Sequence, residues 1–188
     1  MSDFPASELW DFTISVYGRE GVSGACIALQ DRRGLDVDII LMCGWLGASG
    51  RGRTNAQELE TAWKAISAWQ AEIVGTLRAV RRRIKEGYPQ APEAAATAVG
   101  KAVLKQEIEA ERVAQIMLEA TIYRAARPGA APAEQAADTA ANLALYLKSR
   151  GVVADGEDRK SLATILAGTV PDLSADEIGK TLDSALGS

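Results

Sequence analysis

The chain has no histidine. That removes the side chain most often used as a general acid or base at neutral pH, and the commonest zinc ligand. Cysteine is nearly as scarce. Cys26 and Cys43 are the only two, each lies in an apolar run, and their spacing fits neither a zinc motif nor a redox pair. Both are expected to be buried, reduced thiols packing as small hydrophobes, which suits a reducing cytoplasm. Long apolar runs are missing as well. The longest, Val37–Leu46, is interrupted by Asp38 and falls far short of the ~20 residues that span a bilayer. The opening MSDFPASELW is acidic and lacks a basic n-region, so neither a secretory signal nor a membrane segment is expected. No stretch alternates with period two for long enough to argue a strand, and no internal repeat is found.

What is present reads as a folded helical protein. Apolar residues make up 47% of the 188 residues and charged ones 24%, the balance of an ordinary soluble domain. Alanine is abundant, which favours helix because Ala loses no side-chain entropy there. The net charge of −4 leaves no global field to attract nucleic acid. That charge is uneven: residues 1–128 balance 16 basic against 16 acidic side chains, whereas residues 129–188 carry five against nine.

Caps and periodicity divide the chain. Ser7 caps a helix from Glu8 to Tyr17 with two apolar stripes, Leu9/Phe12/Val16 and Trp10/Ile14/Tyr17, so this helix is expected to be largely buried. Val22, Ala25, Cys26 and Leu29 mark a second helix, stopped by Gly34, with Arg32 and Arg33 at its C-terminal dipole end. Asp36 caps a third, Val37 to about Leu46, apolar nearly all round and therefore central. After the loop Gly47–Arg53, Thr54/Gln57 and Asn55/Glu58 both fit a capping box. The seam then runs Leu59, Trp63, Ile66, Ile73, Leu77, Val80 and Ile84, with Gln70 its one polar interruption and Gly75 a point of kinking. A second long helix is expected from about Ala94 to Ala126, with Val99, Val103, Ala110, Val113, Met117 and Tyr123 on its seam. The two would form an antiparallel hairpin that brings Arg78, Arg81, Arg82, Arg83 and Lys85 towards Glu107, Glu109 and Glu111. RPGAAP at 127–132 reads as a boundary. Helical segments follow at about 133–149, 158–169 and 176–186, the last opened by a Ser174/Glu177 capping box. The expected fold is thus all-α: a main helical domain over 1–127, a linker at 128–132 and a small acidic helical segment over 133–188.

Leu9-Trp10-Asp11-Phe12, Tyr17, Gly21-Val22, Ala25-Cys26, Leu29-Gln30-Asp31, Asp36-Val37, Leu41, Cys43, Trp45, Trp63 and the Leu77–Arg82 segment together resemble an uncharacterised family of short proteobacterial proteins, a domain of unknown function. The resemblance covers roughly residues 7–120. It implies a helical cytoplasmic protein and carries no activity, cofactor or site residue.

Four groups are candidates for chemistry. Gly47 to Thr54 reads G-x-x-x-x-G-R-T, one residue away from a phosphate-binding P-loop, with Arg53 in place of the lysine. Without companion strands the P-loop context is missing. A softer reading remains: Gly47, Gly50 and Gly52 permit close backbone approach, Arg51 and Arg53 supply charge, and Thr54 opens a helix, so a small anionic ligand could dock here. Asp31, Asp36 and Asp38 form an acidic group able to serve as acid and base, although no second cluster completes a metal site and helix capping accounts for Asp36. The basic run Arg78–Lys85 lacks interleaved aromatics and is expected to pair with the facing glutamates rather than with nucleic acid. The tryptophans Trp10, Trp45, Trp63 and Trp69 read mainly as core, with Trp69 beside the seam and open to a partner chain. The leading functional expectation is a non-enzymatic helical interaction or adaptor module with a protein partner or homodimer and no cofactor. The alternative is a small enzyme or anionic-ligand binder combining the Gly47–Thr54 loop with Asp31, Asp36 or Asp38.

Overall fold

The computed structural model describes residues 4–187 and is all-helical, with no strand among the described residues. Met1–Asp3, part of the acidic start read above, lie outside the described residues. The helices are α1 (Glu8–Tyr17), α2 (Val22–Arg33), α3 (Val37–Ala48), α4 (Ala56–Trp69), α5 (Gly75–Lys85), α6 (Glu93–Glu119), α7 (Pro132–Ser149), α8 (Gly156–Thr169) and α9 (Ala175–Leu186). No helix is long and apolar enough to cross a membrane among the described residues.

The expected caps form. Ser7 Oγ accepts from Trp10 N–H, Asp36 accepts from the N–H groups of Asp38 and Ile39, and Asn55/Glu58 and Ser174/Glu177 each complete a capping box. Of the two candidate boxes after the glycine loop, the one that forms is Asn55/Glu58. Asp155 and Asp158 make another at the start of α8.

Helix α3 is the axis of the molecule. Every residue from Asp38 to Gly47 is buried, because an apolar surface around the whole helix must be covered on all sides. Helix α7 packs against it most extensively, and α1, α2, α6 and α8 also touch it. Leu143 and Leu147 of α7 and Leu162 and Leu166 of α8 join Ile40, Met42 and Leu46 of α3 in one continuous core. Residues of α7 and α8 therefore share a core with α3, and the Arg127–Pro132 segment is a largely exposed connection leading into α7. Arg32 and Arg33 at the end of α2 bind the cap of α8: Arg32 reaches Asp155 and Asp158 at 2.6 and 2.8 Å, and Arg33 reaches both at 2.7 Å.

Two departures from the expected helices have local causes. The seam beginning in α4 does not run straight into α5. Gln70–Val74 form a π-helical segment, closed by the Gly75 N–H donating to Gln70 O five residues back. A Cβ on Gly75 would lie 3.1 Å from that carbonyl. The wider turn shifts the apolar register by one: Val74 is buried while the expected Ile73 and Val80 are exposed. Helix α6 ends at Glu119, not Ala126. Thr121 Oγ1 donates to Leu118 O at 2.7 Å, a side-chain bond that competes with the helix, and the chain then turns back over the Gly47–Thr54 loop. Tyr123, expected on the seam, is 94% exposed. Glu119 itself caps α1, accepting from Ser7 Oγ and from the N–H groups of Glu8 and Leu9.

Candidate functional site

A cavity of about 530 Å³ opens between α1, the α2–α3 corner, the π-helical segment, α5 and α6. That volume suits a compact small molecule. Each wall follows from helical spacing. Trp10, Thr13, Ile14 and Tyr17 of α1 reach the cavity at i, i+3, i+4 and i+7, and Ile27, Gln30 and Asp31 of α2 at i, i+3 and i+4. From α6 come Glu107, Glu111 and Gln115, one residue per turn, with Leu104 and Ile108 beside them. The second apolar stripe of α1 therefore faces this cavity rather than core, and Ile14 is 56% exposed.

Asp38 forms the floor. It is buried, and both carboxylate oxygens are held: Gln70 Nε2 donates to Oδ2 at 2.5 Å and Gln115 Nε2 to Oδ1 at 2.8 Å. Burial, and next the charge of neighbouring Asp36, push the Asp38 carboxyl well above its ordinary range. Asp36 is also raised, by burial first, against the two backbone N–H bonds of its capping role. Its own backbone N–H donates to the Tyr146 hydroxyl at 2.9 Å, which fixes the corner to α7. Glu111 is raised by burial too, against the opposing charge of Arg78.

Two of the three arginines lining the cavity are already paired. Arg78 donates to Glu107 at 3.1 Å and Glu111 at 2.9 Å, and Arg81 to Glu107 at 2.5 and 3.1 Å. Burial works to raise Glu107, but these bonds from Arg81 and Arg78 outweigh it and hold the carboxyl below its ordinary value. The pairing expected between the basic run and the α6 glutamates is thus present for Arg78 and Arg81.

Two buried polar atoms of wall residues bond to no other group of the protein, Gln115 Oε1 and Thr13 Oγ1. Their residues are 1% and 6% exposed. The direction of the Gln115 amide follows from Asp38: with its nitrogen donating to the carboxylate, its oxygen is left as an acceptor.

Asp31, Asp36 and Asp38 come together on this cavity. Asp31 pairs with neither Arg32 nor Arg33, whose guanidiniums serve α8 instead. The Gly47–Thr54 loop lies at the other end of α3, about 18 Å away by helix rise, so it forms no joint site with the aspartates. Most of its polar groups are taken up internally, while buried Arg51 Nη1 has no hydrogen-bond partner. Gly50, Gly52 and Thr54 donate their N–H groups to Gly47 O, Leu46 O and Asn142 Oδ1. Arg51 stacks 4.1 Å over Trp45 while bonding Arg124 O and Glu8, and Arg53 pairs with Asp138. Gly47 itself is where α7 presses closest: a Cβ there would fall 2.2 Å from Thr139 Oγ1.

Sequence reasoning passed over Gln70, Gln115 and Thr13. Gln70 did carry a signal, as the one polar residue on an apolar seam. Trp69, read as open to a partner chain, donates its indole N–H to Ala110 O at 2.9 Å across the hairpin. Among the described residues no group of three or more carboxylates or thiols is placed to hold a metal ion.

The class is therefore an all-helical protein with a polar-floored cavity walled by its N-terminal helices and hairpin. The chain belongs to the family described as protein of unknown function (DUF2390), whose model matches residues 8–118. Every residue lining the cavity falls inside that segment, while α7, α8 and α9 fall outside it. No curated protein and no solved structure matches the chain.

Proposed function

We propose that this chain is a small-molecule binding protein and that the α1–α3–α5–α6 cavity is its site. The observation that carries the reading is the buried floor. Asp38 is held by two glutamines from separate helical segments, beside Gln115 Oε1 and Thr13 Oγ1, which have no partner within the protein. Burying an aspartate without a charge partner, beside two unsatisfied polar atoms, costs stability. Such expense concentrates where a ligand is bound or chemistry is done.

The rim supports the same reading. Ile14, Ile27, Leu104 and Ile108, each more than 40% exposed, gather at this one opening. Exposed aliphatic side chains scattered singly need no explanation, but four around one cavity mark a contact surface. The interaction-module reading would use this collar for a side chain of a partner protein. The depth of the polar floor favours a small molecule.

A thermal-shift screen with a chemically mixed panel of compact molecules tests the proposal. At least one compound should stabilise the wild type. Ile108→Trp, which fills the mouth from an exposed position, should lose that shift. Stabilisation of neither protein, or of both alike, would overturn it.

A further inference from the structure

The carboxylates and free acceptors gathered at the floor of this cavity point to the ligand. Gln115 Oε1 is an acceptor by its bonding to Asp38. Asp36 uses Oδ1 for both capping bonds, which leaves Oδ2 to accept. Thr13 Oγ1 can accept as well as donate. The donors nearest the floor are engaged: the Gln70 and Gln115 amide nitrogens with Asp38, and Arg78 and Arg81 with Glu107 and Glu111. Arg82, the Thr13 and Tyr17 hydroxyls, the Trp10 indole N–H and the Gln30 amide are uncommitted donors on this wall, but a bound anion would sit against the carboxylates of Asp31, Asp36, Asp38 and Glu111.

We propose that the cavity binds an organic cation with N–H donors on a compact apolar body, a primary amine or a guanidine. The head enters among Asp36, Asp38, Gln115 Oε1 and Thr13 Oγ1, and the apolar body lies against Ile14, Leu104 and Ile108 at the mouth. The aromatic residues Trp10 and Tyr17 also line this cavity. This rests on the cavity being a ligand site at all, as proposed above. A protonated amine also resolves the cost of the floor, since it supplies the charge partner that buried Asp38 lacks within the protein.

Three probes of one size separate the possibilities: phenethylamine (cation), 2-phenylethanol (neutral) and phenylacetate (anion). Each is titrated into uniformly ¹⁵N-labelled full-length protein, following the Trp10 indole and the Gln70 and Gln115 side-chain amides. Phenethylamine should bind and shift all three, with the alcohol and the acid roughly 10- to 100-fold weaker, the worth of a charge-assisted hydrogen bond. Asp38→Asn should weaken the amine by a similar factor while leaving the alcohol unchanged. Asp36→Asn, which keeps a good helix cap, should do the same and covers the case in which Asp38→Asn fails to fold. If the alcohol or the acid shifts these signals as strongly as the amine, the cation is overturned and the cavity stands as a ligand site. If the cavity signals stay fixed with all three probes while Ile108→Trp loses stabilisation by another compound, the cation is again overturned. If no compound reaches the cavity by either method, both readings fall.

Discussion

Gln70 donates its side-chain amide to Asp38 Oδ2 at 2.5 Å, joining the π-helical segment to the first turn of α3. The two features belong together. In a regular helix continuing the α4 seam, position 70 falls on the apolar stripe. The π-helical turn accommodates an extra residue at that point and lets a polar side chain leave a hydrophobic register without breaking the helix. Helix and cavity meet at this bond.

Replacing Asp38 with Asn should stabilise the protein at neutral pH by roughly 0.5–2 kcal/mol, a usual gain when a site's strained group is relaxed. The sign follows from the raised carboxyl. Above the ordinary Asp value the unfolded chain has lost this proton while the folded protein keeps it. Wild-type stability from this group therefore falls as pH rises from the unfolded value to the raised folded one, and is flat beyond. Asp38→Asn removes that slope, provided one glutamine amide turns over to face the new NH₂ group. Urea melts of both proteins between pH 4 and pH 8 measure it. A wild-type advantage that grows with pH would contradict the assignment.

Glu107 should behave in the opposite sense. It is 3% exposed and accepts from both Arg78 and Arg81, so Glu107→Gln leaves two guanidiniums short of charge at the hairpin. Removing one partner of a buried pair costs about 3–5 kcal/mol. With both arginines partly exposed, about 1–3 kcal/mol is expected. Because the folded carboxyl is lowered, the stabilisation is present above the unfolded Glu value and is lost as pH falls through the folded one. Denaturant melts at pH 7 and pH 3 should show the wild-type advantage over Glu107→Gln shrinking at the lower pH.

Much of the fold follows from local rules that the sequence carries in full. Ser7, Asp36, Asn55 and Ser174 cap helices because a side-chain oxygen beside free N–H groups needs no tertiary context. The central place of α3 follows from its all-round apolarity. The cavity did not follow, because its walls come from five separate helices and the π-helical segment, and their shared direction is a property of packing. Trp10, Ile14 and Tyr17 look like core until the facing surface is known to bear Glu107, Glu111 and Gln115. Arg32 and Arg33 carried the right charge for a helix end, but their partners Asp155 and Asp158 lie more than 120 residues away. The Gly47–Thr54 string had the residues of an anion loop, but the N–H groups of Gly50, Gly52 and Thr54 are spent within the fold.

Cys26 and Cys43 should report on global opening. Both are free and buried, and burial pushes each thiol up to about 12, leaving almost no thiolate at neutral pH. Labelling by an aromatic disulfide reagent should be negligible in native protein and reach two thiols per chain in denaturant. Its native-state rate should follow the free energy of unfolding. Fast labelling of one thiol without denaturant would place that cysteine on a locally opening segment.

Gly47 separates the two roles open to the glycine loop. If it served only backbone approach by an anion, a methyl group there would leave stability nearly unchanged. The fold demands otherwise. A Cβ at this position would fall 2.2 Å from Thr139 Oγ1, 2.5 Å from Thr139 N and 2.8 Å from Gln135 O. Two of those atoms are backbone of α7, so rotating a side chain cannot relieve the clash. Gly47→Ala must push α7 away from α3 along the most extensive helix contact in the molecule. Overpacking of this kind costs about 1–3 kcal/mol, and the lost α3–α7 contact puts the expectation at the upper end. Gly34→Ala provides a control of a different kind, with open space at the Cβ but a φ of +66°, and should cost only about 1 kcal/mol. Chemical denaturation of the two variants side by side ranks them, and a Gly47→Ala variant as stable as wild type would remove the close α3–α7 approach.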